Sequence, residues 1–120
     1  MEEVKFNFED LRVYQKALDF VDTTYEITRK FPKEEKAELV SQIRRAVVMI
    51  PVKIAEGFMR RSPREKENAY KVSQASIEEL KYYLILSKDL KYLKDNEEIL
   101  LAVDEVGRML TGLVRSTKNK

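Results

Sequence analysis

Cysteine and histidine are both missing from this chain. Without cysteine there is no disulfide, no thiolate nucleophile and no cysteine-containing zinc site. Without histidine the commonest general base and the commonest transition-metal ligand are gone. The Glu-x-x-His pairs that hold di-iron centres in helical bundles go with them. The expectation is therefore no cofactor, no metal and no enzyme chemistry. Glycine and proline are scarce, 3 of each in 120 residues, so helices can run long with few turns between them. No uncharged apolar run approaches about 18 residues, so no membrane span is expected. The first residues, Met1 to Phe6, lack the apolar core of a signal peptide, and the expected location is the cytoplasm. Neither sign of charge dominates: 23 basic and 21 acidic residues leave +2, so any case for nucleic acid must rest on a local patch.

The chain holds one long helix-forming stretch, Leu39 to Arg61. Leu39, Ile43, Val47, Ile50 and Ile54 recur at steps of three and four and line one helix face. Ala46, Met49 and Ala55 widen it, so this helix meets more than one neighbour. Pro51 lies in the middle and costs about 3 kcal/mol in a helix interior. A break there would make Ile50 an N-cap, a role isoleucine fills poorly. The apolar period also passes through the proline in phase, so the expectation is one helix kinked at Pro51.

The other segments read as helices that cover this one. Helix 1 is expected over 8–31, with Asn7 as cap, Asp10 as its box partner and Phe6 stapled onto Leu11. It carries two apolar stripes, one from Leu11 through Tyr14, Leu18, Val21 and Tyr25 to Thr28, the other from Val13 through Ala17, Phe20, Thr24 and Ile27 to Phe31. Helix 2 is expected over 34–61. Ser62, Pro63 and Glu65 then start helix 3, expected over 63–94. Small residues Ala69, Ser73, Ala75 and Ser76 in its first half permit close approach of a neighbour. Its second half reads Tyr82, Tyr83, Leu84, Ile85, Leu86, apolar all the way round, so it should be covered on more than one side. Helix 4 is expected over 97–115, started by Asp95 with Glu98, striped by Ile99, Val103, Val106, Leu110 and Leu113, and followed by a loose tail over 116–120. Gly107 and Gly112 within it fit either close packing or fraying. Short turns give an all-α, antiparallel, up-down-up-down four-helix bundle, one domain over 1–120.

The stretch QIRRAVVMIPVKIAEGF at 42–58, with FEDLRVYQKA at 8–17, FP at 31–32 and SQASIEEL at 73–80, resembles the small four-helix-bundle family first described from intervening sequences in 23S ribosomal RNA genes. The resemblance covers about positions 6–115. Met49 stands where that family usually has serine, Lys53 where it has asparagine, and Gln74 where it often has glycine or arginine. The resemblance implies a homo-oligomer, specifically a pentamer with a central channel. Some relatives serve as accessory subunits beside a reverse transcriptase, form pentameric barrels and carry basic surfaces. RNA, DNA or a reverse transcriptase are the partners it implies.

Two candidate surfaces follow. Arg44, Arg45, Lys53, Arg60, Arg61 and Arg64 form the candidate nucleic-acid surface, densest at Arg60 to Lys66, where four basic residues meet one glutamate. The same charges also suit helix ends and ordinary solvated surface. Tyr82 and Tyr92 are the aromatics that could stack on bases. Tyr82, Tyr83, Ile85 and Leu86 form the candidate oligomer interface. Glu56, set between Ala55 and Gly57, reads as an acid, base or magnesium ligand, or as an ion-pair partner of Arg60 at i+4. The function expected is a non-enzymatic, self-associating helical scaffold that touches nucleic acid or a nucleic-acid-processing partner through its basic surface. The alternative is a purely structural or protein-interaction oligomer.

Overall fold

The computed structural model describes residues 7–118. The expected staple from Phe6 and the last two residues of the expected tail lie outside the described residues. The described residues hold four long helices: α1, Arg12–Arg29; α2, Ser41–Met59; α3, Pro63–Asp89; and α4, Glu97–Lys118. Their buried apolar side chains join in one core cluster. Cross-links between neighbours pair later residues of one helix with earlier residues of the next. From α2 to α3, Gly57 meets Tyr70, Ile50 meets Ser73 and Gln42 meets Tyr83. From α3 to α4, Lys81 meets Asp104 and Glu67 meets Lys118.

Helix 1 is interrupted where continuity was expected. Asn7 does close its box: its side chain accepts from the Phe8 amide at 2.7 Å, and its own amide donates to Asp10 at 3.0 Å. That box closes a 3-10 turn, Phe8–Asp10, and Leu11 is then extended at φ −70, ψ 125 before α1 begins. The bend brings the Phe8 ring onto Tyr14, with centroids 5.1 Å apart. Of the two stripes, Val13, Ala17, Phe20 and Thr24 are buried, whereas Tyr14, Val21 and Tyr25 are half-buried and Leu18 is exposed. Thr28, at the end of the outer stripe, is buried with the core stripe.

Helix 2 passes through Pro51 unbroken. Leu39, Ile43, Val47, Ile50 and Ile54 are all buried, as the period predicts. Its entry is irregular: a 3-10 turn at Lys33–Glu35 leads into a π-helical turn at Lys36–Val40. The wider turn lets adjacent Leu39 and Val40 both face inward. Its exit comes at Met59, earlier than the expected Arg61, because Arg60 is extended at φ −71, ψ 153 and acts as the C-cap.

Helix 3 stops at Asp89, short of the expected Lys94. Lys91 takes a left-handed conformation, φ 68, and the amides of Tyr92 and Lys91 return to the carbonyls of Ser87 and Lys88, each at 3.0 Å. This is a Schellman ending built on lysine instead of glycine, so composition gave no sign of it. Ser62 caps α3 through the Glu65 amide at 3.1 Å, and the Glu65 carboxylate accepts from the Ser62 hydroxyl instead of its amide. At the start of α4, Asp95 accepts the Glu97 amide at 2.9 Å and Asn96 is buried with its side chain donating to the Leu84 carbonyl. The far end of α4 extends through residues expected to be loose. Ser116 and Thr117 bond back to Leu113 and Val114, and Lys118 pairs with Glu67. Over the last turns the inward side passes from Leu113, half-buried, to Val114 and Thr117, both buried.

The α2–α3 contact is close at one position above others. A Cβ on Gly57 would lie 2.5 Å from the ring of Tyr70, which is 3% exposed. In α4, a Cβ on Gly107 would meet only Ile77 at 3.9 Å, and one on Gly112 would meet nothing within 4 Å. Close packing within the chain therefore requires glycine at 57 alone. Gly57→Ala should destabilise the protein by about 1–2 kcal/mol, the overpacking strain exceeding the helix-propensity gain. Gly112→Ala should stabilise it by up to about 1 kcal/mol. Urea unfolding of the two variants beside the parent measures both signs.

Candidate nucleic-acid interface

The six basic residues of the candidate surface do not form one patch. Along the helix axis Arg44 and Arg60 stand about 24 Å apart, at about 1.5 Å per residue. Arg44 is turned toward α1, where its Nε donates to Thr28 Oγ1 at 3.0 Å and its terminal nitrogen to the Tyr25 carbonyl at 3.2 Å. The guanidinium also lies over the Tyr25 ring, 4.3 Å from its centroid. Arg44 thus ties the last turns of α1 to α2. Arg45, beside it, is exposed and makes no ion pair among the described residues.

Lys53 and Arg60 converge on Glu56, at 2.7 and 2.8 Å, one to each carboxylate oxygen. The i+4 pairing expected of Arg60 is present, and Lys53 joins it from the preceding turn. Hydrogen bonds from Lys53 first and Arg60 second hold the Glu56 carboxyl below its ordinary pKa. A carboxylate whose pKa is lowered by two cations lies further from neutral pH and is a weaker general base for it. No group of three or more acidic side chains suited to a metal ion occurs among the described residues. The arrangement is an ion-pair triad, and one carboxylate against two cations leaves surplus positive charge.

The turn between α2 and α3 concentrates the rest. Lys66 reaches back from α3 and donates to the carbonyls of Gly57 at 3.2 Å and Phe58 at 2.7 Å, capping the end of α2. Arg61 and Arg64 are exposed and enter no ion pair among the described residues. The sequence pattern did not connect α4 to this end of the molecule. The Lys118–Glu67 pair at 3.4 Å brings the last turn of α4 against the start of α3, and exposed Arg115 stands one turn before it. Only long-range contact could reveal that neighbourhood.

The two tyrosines part company. Tyr92 donates its hydroxyl to Glu35 at 2.8 Å and its ring packs on Phe31, so it fastens the α3–α4 turn to the entry of α2. That hydrogen bond, then burial, raises its pKa. Tyr82 is 62% exposed. Of the four candidate interface residues, Tyr82 and Ile85 point outward, while Tyr83 and Leu86 are half-buried. Tyr83 donates to Gln42 at 2.7 Å, facing α2. A second apolar surface was not foreseen. Leu18, Val48 and Val52 are exposed beside Phe8, Tyr14, Val21, Pro51 and Ala55, and together they line a groove of about 360 Å³ between α1 and α2. Its α1 wall is the outer stripe, whose period was visible but whose exposure was not.

The family model described as 23S rRNA-intervening sequence protein matches residues 9–112. No curated protein matches the chain. No helix among the described residues is long and apolar enough to cross a membrane.

Because its pKa is lowered on folding, Glu56 adds stability above the ordinary glutamate range, about 4.3, and that contribution is lost as pH falls through the lower folded value. Glu56→Gln should therefore lower stability at pH 7 and leave it unchanged at the acid end, once the parent's carboxylate is protonated. Urea midpoints for parent and variant between pH 7 and pH 3 would show the two curves converging on the acid side.

Proposed function

The chain belongs to the 23S rRNA-intervening sequence protein family, and from that premise we propose a non-enzymatic, self-associating helical scaffold that contacts nucleic-acid phosphates through the α2–α3 turn. The single observation that carries the phosphate contact is the pair Arg61 and Arg64, exposed and without ion pairs among the described residues. Arg60 adds to the same turn, Lys53 adds to the surplus charge at Glu56, and Arg45 stands apart toward the other end of α2. Arg44 serves the architecture at the other end of α2, where it holds α1. The family's description, which names ribosomal RNA, agrees with a role near RNA.

Self-association supports the reading by repetition. The groove between α1 and α2 is concave and apolar, whereas Tyr82 and Ile85 project from α3. Lys81 reaches α4 and Tyr83 reaches α2, so the side chains between them point away from the bundle. A groove on one face and a projection on another suit a head-to-tail contact between copies, which gives a ring where the rotation between copies closes. The ring number expected from the resemblance is five. A ring repeats each pair of arginines and raises avidity without new contacts.

Light scattering at micromolar concentration should give a mass several times 14.2 kDa, and Ile85→Glu should lower it. A monomer at that concentration would remove the scaffold reading. Binding to RNA and to duplex DNA should be largely indifferent to sequence and should fall steeply with salt. Arg61→Glu with Arg64→Glu should weaken it by about tenfold or more while leaving the mass unchanged. Wild-type protein that binds neither nucleic acid at low salt, or a variant that binds equally well, would leave the structural oligomer as the function.

A further inference from the structure

At the opposite end of α2 from the arginine turn, a second basic feature gathers around a partly open pocket. Thr28, Arg29, Lys36, Val40, Ser41 and Arg44 line a cavity of about 270 Å³. Three of the six carry positive charge, two carry hydroxyls and none is a carboxylate. At about 30 Å³ per water, that space has room for a tetrahedral oxyanion and some of its hydration.

The donors are prepared to different degrees. Arg44 is fixed by its bonds to Thr28 and Tyr25 and by its seat on the Tyr25 ring. Those bonds use two of the five N–H donors of a guanidinium, which leaves the others to a ligand. Arg29, on the last turn of α1, and Lys36, in the π-helical turn, are exposed and make no ion pair among the described residues. No hydrogen bond among the described residues engages the Ser41 hydroxyl. Thr28 has used its one O–H: its hydroxyl donates toward the carbonyls of Thr24 and Tyr25 and accepts from Arg44, so it orients the guanidinium and has no donor left for an anion.

We propose that this pocket binds a phosphate dianion, either free phosphate or a terminal phosphate monoester. The charge decides the class. Three cations around one small cavity are better balanced by a dianion than by the single charge of a backbone phosphodiester. The fixed arginine supplies planar donors, and the lysine and the second arginine close on the ligand from the two flanking elements. The site goes beyond the proposed nucleic-acid surface and uses none of the arginines at the α2–α3 turn.

The test is an NMR titration of ¹⁵N-labelled full-length protein with inorganic phosphate at constant ionic strength in chloride. Saturable shifts should appear at the amides of residues 36–44. They should weaken by about tenfold or more in Arg29→Gln with Lys36→Gln, because two charge-assisted contacts are lost. They should persist in Arg61→Glu with Arg64→Glu. Both substituted side chains in the first variant are exposed, so its fold should be intact, and its unperturbed spectrum checks that. A second arm compares a dinucleotide bearing a 5′-phosphate with the same dinucleotide bearing a 5′-hydroxyl. Preference for the phosphorylated form identifies a terminal monoester as a ligand. Saturation by inorganic phosphate without that preference identifies the free anion. Shifts that grow linearly, that are matched by chloride alone, or that are unchanged in Arg29→Gln with Lys36→Gln would overturn the proposal.

Discussion

The close approach of α2 and α3 is the constraint on which the remaining structure depends. The Tyr70 ring can come this close to α2 only because residue 57 has no side chain. Further along the same seam the Ser73 hydroxyl, fully buried, donates to the Ile50 carbonyl at 2.9 Å. That carbonyl belongs to the peptide bond entering Pro51, so the two helices are joined at the point where α2 gives up one of its own amide donors. A helix with an internal proline holds its course only if its surroundings stabilise it. Here the surroundings are two-sided: Ile43, Val47, Ile50 and Ile54 are completely buried, and the core cluster that receives them draws on all four helices. Packing of this kind also leaves loose ends, and Thr24 Oγ1 is a buried hydroxyl without a partner among the described residues.

The same seam sorts the charges. A helix that is buried along most of its length can present charge only at its ends and along a narrow outer strip. At the N-terminal end Arg44 turns inward to α1, and at the C-terminal end Lys66 crosses from α3 to cap the last carbonyls. Between them the strip carries the Glu56 triad. A ligand at Lys66 or at the Glu56 triad must first compete with the contacts those charges already make, whereas Arg44 is held in place with N–H donors to spare. Six basic residues that look equivalent in the sequence therefore divide into an architectural arginine, two partners of one glutamate, and Arg45, Arg61 and Arg64.

Legibility followed the range of the interaction. The apolar period of α2, its continuity through Pro51 and the capping residues Asn7 and Ser62 were all readable, because each is a relation between residues within a turn or two. The early stop of α3 was not, since Lys91 in a left-handed conformation has no compositional signature and is held by the Ser87 and Lys88 carbonyls. The break at Leu11 was hidden for a related reason: Asn7 and Asp10 are correct for a helix start, and the sequence does not say that the turn they close is only three residues long. Among the candidate site residues, the Arg60–Glu56 pair was visible as an i+4 relation. The roles of Arg44, Lys66 and Tyr92 were not, because their partners lie 16, 8 and 57 residues away.

The apolar surface shows where periodicity alone stops. Two stripes on helix 1 and five consecutive apolar residues on helix 3 both signal a wide hydrophobic face, but a four-helix bundle has one interior. Once Val13, Ala17, Phe20 and Thr24 occupy it, the stripe through Leu18 must face outward. Once Leu84 occupies it, Tyr82 and Ile85 must do the same. Scattered exposed apolar side chains are ordinary on any protein. The outer stripe of α1 is different because it lies against Val48, Pro51 and Val52 of α2 and makes a continuous concave wall. Its counterpart on α3 projects from another face. The surplus of apolar residues over what one interior can hold is thus not spread evenly but collected into two surfaces of opposite shape, and the geometry of four helices around one core is what separates them.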